Sequence, residues 1–323
     1  MKQALKQVFL WSVALLGVMW LLPLSASTSA STQTAVAKTA PNTSDETSAS
    51  APTPLQWGTE LKVVSWNIQL GRGTDGRTDI YRTADSLARL NPDLIGLTEV
   101  QAYLGQDEDL RNLLTQMTGV TWYSHYVPGC PTICGGGNQI LSKYPFVSTD
   151  RLYFTYGVGQ GDPSVAQATI NVNGRRVAFF TTHLDAETAW VRWEQGVELV
   201  NWLVTGGFPE TYIVAGDFNT YYGASPAQIQ ALDPIFHDAW RVAVAQGLQS
   251  SYPDNPDGRT RRARIDYVFY TMYDPRLVLT RAQVPDSRDF YSPYPVVQFL
   301  GNPDDYGVRP SDHNQVVATF QVW

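Results

Sequence analysis

The sequence predicts an α+β fold in which mixed β-sheets are covered by helices, and three observations carry that prediction. Nine short apolar runs read as strands, against four helical segments. Two of the strands flank Asn173-Gly174, the strongest hairpin signal in the chain, so consecutive strands pair antiparallel. Strands and helices do not alternate regularly, which argues against a doubly wound parallel sheet.

In chain order, Leu61–Trp66 is a run of apolar residues with strand character. Ile80–Leu90 puts Ile80, Ala84, Leu87 and Ala88 on one helical face and ends before Asn91-Pro92. Asp93–Val100 is a second buried strand, and Glu108–Thr118 is a helix that stops at Gly119. Gln139–Ser142, Val165–Val172 and Arg175–Thr181 read as strands. Glu187–Val204 is an amphipathic helix with Trp190, Trp193, Val197 and Val200 at helical spacing; with Trp240, these tryptophans are expected to pack in the core. Tyr212–Gly216 is a strand, and Ser225-Pro226 opens a helix as N-cap and first residue. Ile265–Thr271, Leu277–Val284 and Val316–Val322 complete the strands, while His237 falls at a helix start and reads as structural.

The first 54 residues are of another kind. Lys2 and Lys6 precede an uncharged apolar run, residues 8–24, followed by small residues. This is the layout of a signal peptide, taken here as residues 1–26, with an uncleaved anchor over 8–24 as the alternative. Residues 27–54 are rich in Ser, Thr and Ala and read as a disordered linker. Residues 55–323 then form one domain, and the address predicts a secreted or cell-envelope protein. The only cysteines, Cys130 and Cys134, are predicted to form a disulfide that pins a loop.

Composition restricts the function. Of 323 residues, 43% are hydrophobic and only 16% charged, below the roughly 25% of an average soluble protein, so the chain can bury a core. Setting aside residues 1–54, with Lys2, Lys6, Lys38, Asp45 and Glu46, leaves 20 basic and 28 acidic residues, a net of −8. A module that binds nucleic acid by charge alone is thereby excluded; an enzyme that grips phosphate through a cation and a few arginines is not.

Polar residues collect at the ends of the apolar strands. Asn67 follows the first, Glu99 lies within the second, His183 ends VAFFTTH, Asp217 and Asn219 end YIVAGDFN, Asp266 lies in RARIDYVF, and Asp312 and His313 precede the last. Each alone could cap a turn. Together, four carboxylates partly desolvated by apolar flanks (Glu99, Asp217, Asp266 and Asp312) repel one another and call for a cation. Oxygen donors without a Cys/His cluster select a hard ion, Mg²⁺ first, with Mn²⁺ or Ca²⁺ as alternatives. A histidine held by a carboxylate can take a proton from water, so the set suits attack of water on phosphorus and predicts activity that falls below about pH 6.

The segments WNIQ (66–69), LTEV (97–100), GNQILSKYP (137–145), THL (182–184), GDFN (216–219), RIDYVF (264–269) and SDH (311–313), in that order, resemble the endonuclease/exonuclease/phosphatase superfamily, which includes deoxyribonuclease I, exonuclease III and neutral sphingomyelinases. The resemblance implies a four-layer αββα sandwich of two mixed sheets flanked by helices, with the site at one edge. It implies that Glu99 ligates Mg²⁺ with Asn67 beside it and that Asp312 completes the metal site. It further implies that Asp217 and Asn219 contact the scissile phosphate and water. His313, oriented by Asp266, would take the water's proton, and His183 would bind a phosphoryl oxygen or protonate the leaving group.

The substrate implied is a phosphodiester, in nucleic acid or in a lipid head group, cut by a monomer that needs no protein partner. The nuclease-like reading comes first. A sphingomyelinase-like or phosphoinositide enzyme, a small-molecule phosphomonoesterase and an inactive binding module are the alternatives. Arg259, Arg261 and Arg262 are candidate phosphate contacts or an ordinary solvated loop, whereas Arg264 is expected to pack structurally. The aromatic stretch 286–306 is expected to cover the sheet end, with a lid or a stacking or lipid-binding surface as alternatives.

Overall fold

Strand β1 (Thr59–Asn67) organises the first sheet, because its alternate residues are apolar on both faces and it must be covered on both. The computed structural model describes residues 58–129, 136–157, 164–209, 211–222, 224, 232–289, 295–297 and 307–323. Within them β1 pairs parallel with β2 (Leu94–Thr98), Val63 opposite Leu94, and antiparallel with β13 (Val316–Val322), Thr59 opposite Val322. With β3 (Tyr123–Pro128), β4 (Gly137–Ser142), β10 (Gln249–Ser251) and β12 (Leu277–Val284) the sheet has the order β10-β12-β13-β1-β2-β4-β3.

The second sheet comprises β5 (Phe146–Tyr153), β6 (Ser164–Val172), β7 (Arg175–His183), β8 (Thr211–Asp217), β9 (Phe236–Asp238) and β11 (Asp266–Thr271), in the order β5-β6-β7-β8-β11-β9. The Asn173-Gly174 turn joins β6 and β7 antiparallel, as the dipeptide predicts. β7 and β8 are parallel, and β8 and β11 antiparallel, so both sheets are mixed.

The strand period of two sorts the core into layers. Leu61 and Val63 of β1 meet Phe179 of β7, Ala215 of β8 and Val268 of β11 between the sheets. Val64 and Trp66 face the other way, onto Ala84 and Leu87 of α1 (Ile80–Leu90) and Leu110 and Leu114 of α2 (Gln106–Thr118). Ala178 and Phe180 likewise face Leu199 and Leu203 of α3 (Ala189–Thr205). This is the αββα order expected. α1 starts where Asp79 accepts the Arg82 N–H at 3.1 Å and ends at Asn91 in the left-handed region, φ +46°.

Several expectations need correction. Trp190 and Trp193 are not core residues: they are 54% and 36% exposed, because α3 turns Gln195, Gly196, Leu199 and Leu203 inward instead, while Trp240 is buried as expected. Strands β3, β5, β9 and β10 carry no apolar run and were not anticipated; β5 is largely exposed. His237 belongs to β9, and the next residue, Asp238, caps α4 (Ala239–Gln246) through the Trp240 N–H at 3.0 Å. The signal peptide, the linker, the Ser225-Pro226 helix, Cys130 and Cys134, and most of 286–306 lie outside the described residues. Among those described, no helix is long and apolar enough to cross a membrane.

Candidate active site

The strand pairing brings three of the anticipated residues side by side. Asp217, the last residue of β8, stands opposite His183 at the end of β7 and opposite Asp266 at the start of β11. Paired residues share a face of the sheet, so the three side chains form one row. Asn67, the last residue of β1, enters from the other sheet: its Nδ2 donates to Asp217 Oδ2 at 3.1 Å and to Glu99 Oε1 at 2.8 Å. Asp312 and His313 arrive on the loop before β13. The structure thus gathers Asn67, Glu99, His183, Asp217, Asn219, Asp266, Asp312 and His313 at one edge of the sandwich.

Two of these residues hold strained backbone. Glu99 and Asn219 lie at φ +57° and +48°, a region that non-glycine residues occupy at a cost of order 1–3 kcal/mol. Local bonds over-determine both. Glu99 O accepts the Leu70 N–H at 3.1 Å, and Asp217 Oδ1 accepts the Asn219 N–H at 2.8 Å in an Asx turn.

His313 is the best-held side chain. Its Nδ1 meets Asp266 Oδ2 at 2.8 Å, leaving Nε2 directed toward Asp217 Oδ2 at 3.8 Å and Asp312 Oδ1 at 3.9 Å. Burial works against its charged form, but the attraction of Asp266 and Asp217, with the Asp266 hydrogen bond and Asp312, prevails and pushes its pKa up to about 9. Complete burial raises the Asp266 carboxyl and Asp217 adds to the rise, with His313 pulling the other way.

At the other end of the row, Asn219 Nδ2 contacts His183 Nε2 at 2.9 Å and donates to Leu184 O at 2.9 Å. In this amide orientation Asn219 donates to His183 Nε2, which accepts.

Asp217, Asp266 and His313 offer ligand atoms within 4.8 Å of one another. Asp266 Oδ1 is buried and without a hydrogen-bond partner, and apart from the His313 ring nitrogen the donors are carboxylate oxygens, a set that fits a hard divalent cation. Asn67 turns its NH₂ to the carboxylates while its Oδ1 accepts the Gln69 N–H at 2.9 Å, so in this orientation it steers Glu99. Asp312 Oδ2 is held by Arg261 Nη2 at 2.7 Å.

Of the arginine cluster, Arg261 therefore serves Asp312, and Arg262 is exposed. The backbone carbonyl of Arg259 accepts from Asn255 and Asn314. Arg264 packs structurally as expected, 2.7 Å from Asp238 and stacked over Tyr267.

Sequence reasoning passed over the supports. Ser311 Oγ donates to Asn67 O at 2.7 Å and accepts the His313 N–H at 3.1 Å. Trp66 Nε1 donates to His313 O at 3.0 Å, and Thr260 Oγ1 accepts the Asp266 N–H at 3.1 Å. Ser311 and Trp66 sit inside segments already singled out, which was the available signal; Thr260 had none.

The sequence model of the endonuclease/exonuclease/phosphatase family matches residues 64–313. The chain belongs to that family. Its members are hydrolases of phosphate esters. Among solved structures, the endonuclease/exonuclease/phosphatase family protein of Beutenbergia cavernae aligns at 23% identity, TM-score 0.58, over 81% of this chain and 72% of its own. A mannosyl-6-phosphatase of Bacteroides thetaiotaomicron aligns at 19% identity, TM-score 0.59, over 80% and 99%. The human Nocturnin catalytic domain with bound sulfate aligns at 20% identity, TM-score 0.58, over 82% and 94%. At these identities they establish the shared fold. No curated protein matches the sequence.

Proposed function

We propose that this family member is an exported, Mg²⁺-dependent phosphodiesterase of nuclease-like type, using His313 as general base. The observation that carries the reading is the buried His313–Asp266 pair at 2.8 Å, with the free Nε2 facing the carboxylates of Asp217 and Asp312. Asp266 fixes the ring so that Nε2 takes a proton from water as the water oxygen bonds to phosphorus. Asp217, between the two histidines, orients that water. On the far side Asn219 turns its amide from His183 to a phosphoryl oxygen, which frees His183 Nε2 to take a proton from solvent and give it to the departing ester oxygen. The P–O bond to the leaving group breaks as the new one forms.

Glu99, steered by Asn67, and Asp312 are the residues we assign to a divalent cation beside this row. When bound, the cation supplies charge neutralisation on the phosphoryl oxygens. Two exposed rings, Tyr103 shortly after Glu99 and Tyr221 two residues after Asn219, support a nucleic-acid substrate, since an aromatic face stacks on any base. The net charge of −8 over residues 55–323 supports weak binding of a polyanion. The layout of residues 1–54 supports export to the medium or envelope.

The test is to incubate the protein with plasmid DNA, sphingomyelin liposomes, bis-p-nitrophenyl phosphate and p-nitrophenyl phosphate, each with Mg²⁺ and with EDTA. We expect Mg²⁺-dependent cleavage of the plasmid and of the diester. Turnover of liposomes alone would replace the nuclease reading with the lipid one, and turnover of the monoester alone with a phosphatase. Inertness toward all four would leave a binding module.

A further inference from the structure

Helix α3 brings Arg192 to the His183 side of the site. The Arg192 N–H bonds Thr188 O at 3.1 Å in the first turn, and its Nη1 donates to Asp185 O at 2.8 Å. Asp185 lies two residues beyond His183, and Asn219 holds the intervening Leu184 carbonyl at 2.9 Å. The guanidinium and the Asn219 amide thus grip adjacent carbonyls of the segment that carries His183.

Arg192 is poorly partnered for its burial. Among the described residues the Asp185 carbonyl is its guanidinium's sole hydrogen-bond partner, and the half-buried side chain leaves Nε enclosed with none. Of the nearby Asp185 carboxylate, Oδ1 accepts the Glu187 and Thr188 N–H groups at 3.0 and 2.6 Å. Four other arginines shielded from solvent, Arg82, Arg175, Arg264 and Arg288, each bond a carboxylate at 2.6–2.9 Å. Burial lowers the Arg192 pKa, while the charges of Asp185 and Asp217 act to raise it.

We propose that Arg192 binds the phosphoryl group of the substrate from the His183 side, through the Nη N–H groups not engaged by Asp185. This rests on the phosphoesterase reading and deepens it. A guanidinium with one hydrogen-bond partner retains donors for a tetrahedral oxyanion, and a phosphate oxygen is an anionic acceptor suited to them. The assignment moves phosphate recognition from the 259–262 loop, whose Arg261 is held by Asp312, to α3.

The test compares wild type, Arg192→Gln and Arg192→Lys, using inorganic phosphate as the probe by calorimetry and as a competitor of bis-p-nitrophenyl phosphate hydrolysis, with Tm recorded for each. We expect Arg192→Gln to weaken phosphate at least tenfold and raise KM, with Arg192→Lys intermediate. Arg192→Lys keeps a donor for the Asp185 carbonyl, so it decides the matter if the glutamine variant does not fold. A lowered Tm with phosphate affinity unchanged would make Arg192 a structural tie and overturn the proposal. Wild type that binds phosphate through Arg192 but hydrolyses no ester would overturn the phosphoesterase reading alone. Active wild type with phosphate affinity indifferent to both substitutions would overturn the Arg192 assignment alone.

Discussion

His313 Nδ1 lies 2.8 Å from Asp266 Oδ2, and neither side chain is exposed by more than 3%. In that setting the carboxylate fixes which ring nitrogen faces the cleft and stabilises the charge the ring acquires when it takes a proton. Asp266→Asn preserves the shape and removes the charge. Loss of general-base assistance is worth about 10²–10⁴-fold, so kcat should fall by that order while the fold survives. A variant with wild-type kcat would remove His313–Asp266 from the mechanism.

The same pair sets a pH dependence different from that of an ordinary histidine. With its pKa at about 9, His313 is protonated at neutral pH in the cation-free protein. A divalent cation among the carboxylates offsets their field, so adding Mg²⁺ should lower the value. The sign for stability follows from the raised pKa. The pair stabilises fully below the unfolded value of about 6.5 and loses that contribution as pH rises through about 9. NMR titration of the His313 ring with and without Mg²⁺ measures both effects. A value near 6.5 in both conditions would contradict them, as would a kcat/KM profile that stays flat from about pH 5 to 8, where a His base changes charge.

What the sequence disclosed of this site was its positions. Asp217 and His183 were visible because apolar runs end on them, and a polar residue there has few places to go except the sheet edge. Orientation was not visible, because it depends on partners remote in the chain: Asn67 turns its amide toward Asp217 across 150 residues. Arg192 was hidden for a related reason, its relation to the site arising from helix docking and not from a motif. In the fold, the buried strands announced themselves by apolar runs, while β5, with five consecutive exposed residues, carries no period to detect. Trp190 misled because helical spacing identifies a stripe without saying which stripe the sheet covers.

Away from the site, Asp274 ties the β7–β8 end of the second sheet. Burial would raise its carboxyl, but hydrogen bonds from Thr211, Arg175 and Arg276 overcome this and hold it at about 2. Arg175 Nη2 reaches both oxygens, at 2.9 and 2.8 Å. A depressed pKa stabilises above the unfolded value and is lost as pH falls through about 2. Asp274→Asn should therefore cost about 2 kcal/mol at pH 7. The deficit should shrink as pH drops from about 4 to 2, with activity per folded molecule unchanged. Urea denaturation at several pH values checks this; a deficit independent of pH would show that the charge is not what the cluster uses.

Gly216 is the position where the site leans hardest on backbone alone. It stands opposite Thr182, one pair before the directly opposed His183 and Asp217, at φ +147°, and its N–H donates to Ser65 Oγ of the facing sheet at 2.9 Å. A Cβ added there would lie 2.0 Å from Thr182 O, a backbone atom that cannot swing aside. Gly216→Ala must therefore part β7 from β8 where His183 Nε2 and Asp217 Oδ2 are 3.6 Å apart. Backbone strain and overpacking together predict a loss of about 2–4 kcal/mol. Activity should fall further than that loss explains, because the histidine and the carboxylate separate. Gly174 is the control: at φ +92° in the hairpin, an added Cβ meets nothing within 4 Å. Gly174→Ala should cost only conformational strain, about 1 kcal/mol, and leave kcat intact. Equal loss of kcat in the two variants, measured on folded protein, would show that β7–β8 spacing does not govern the site.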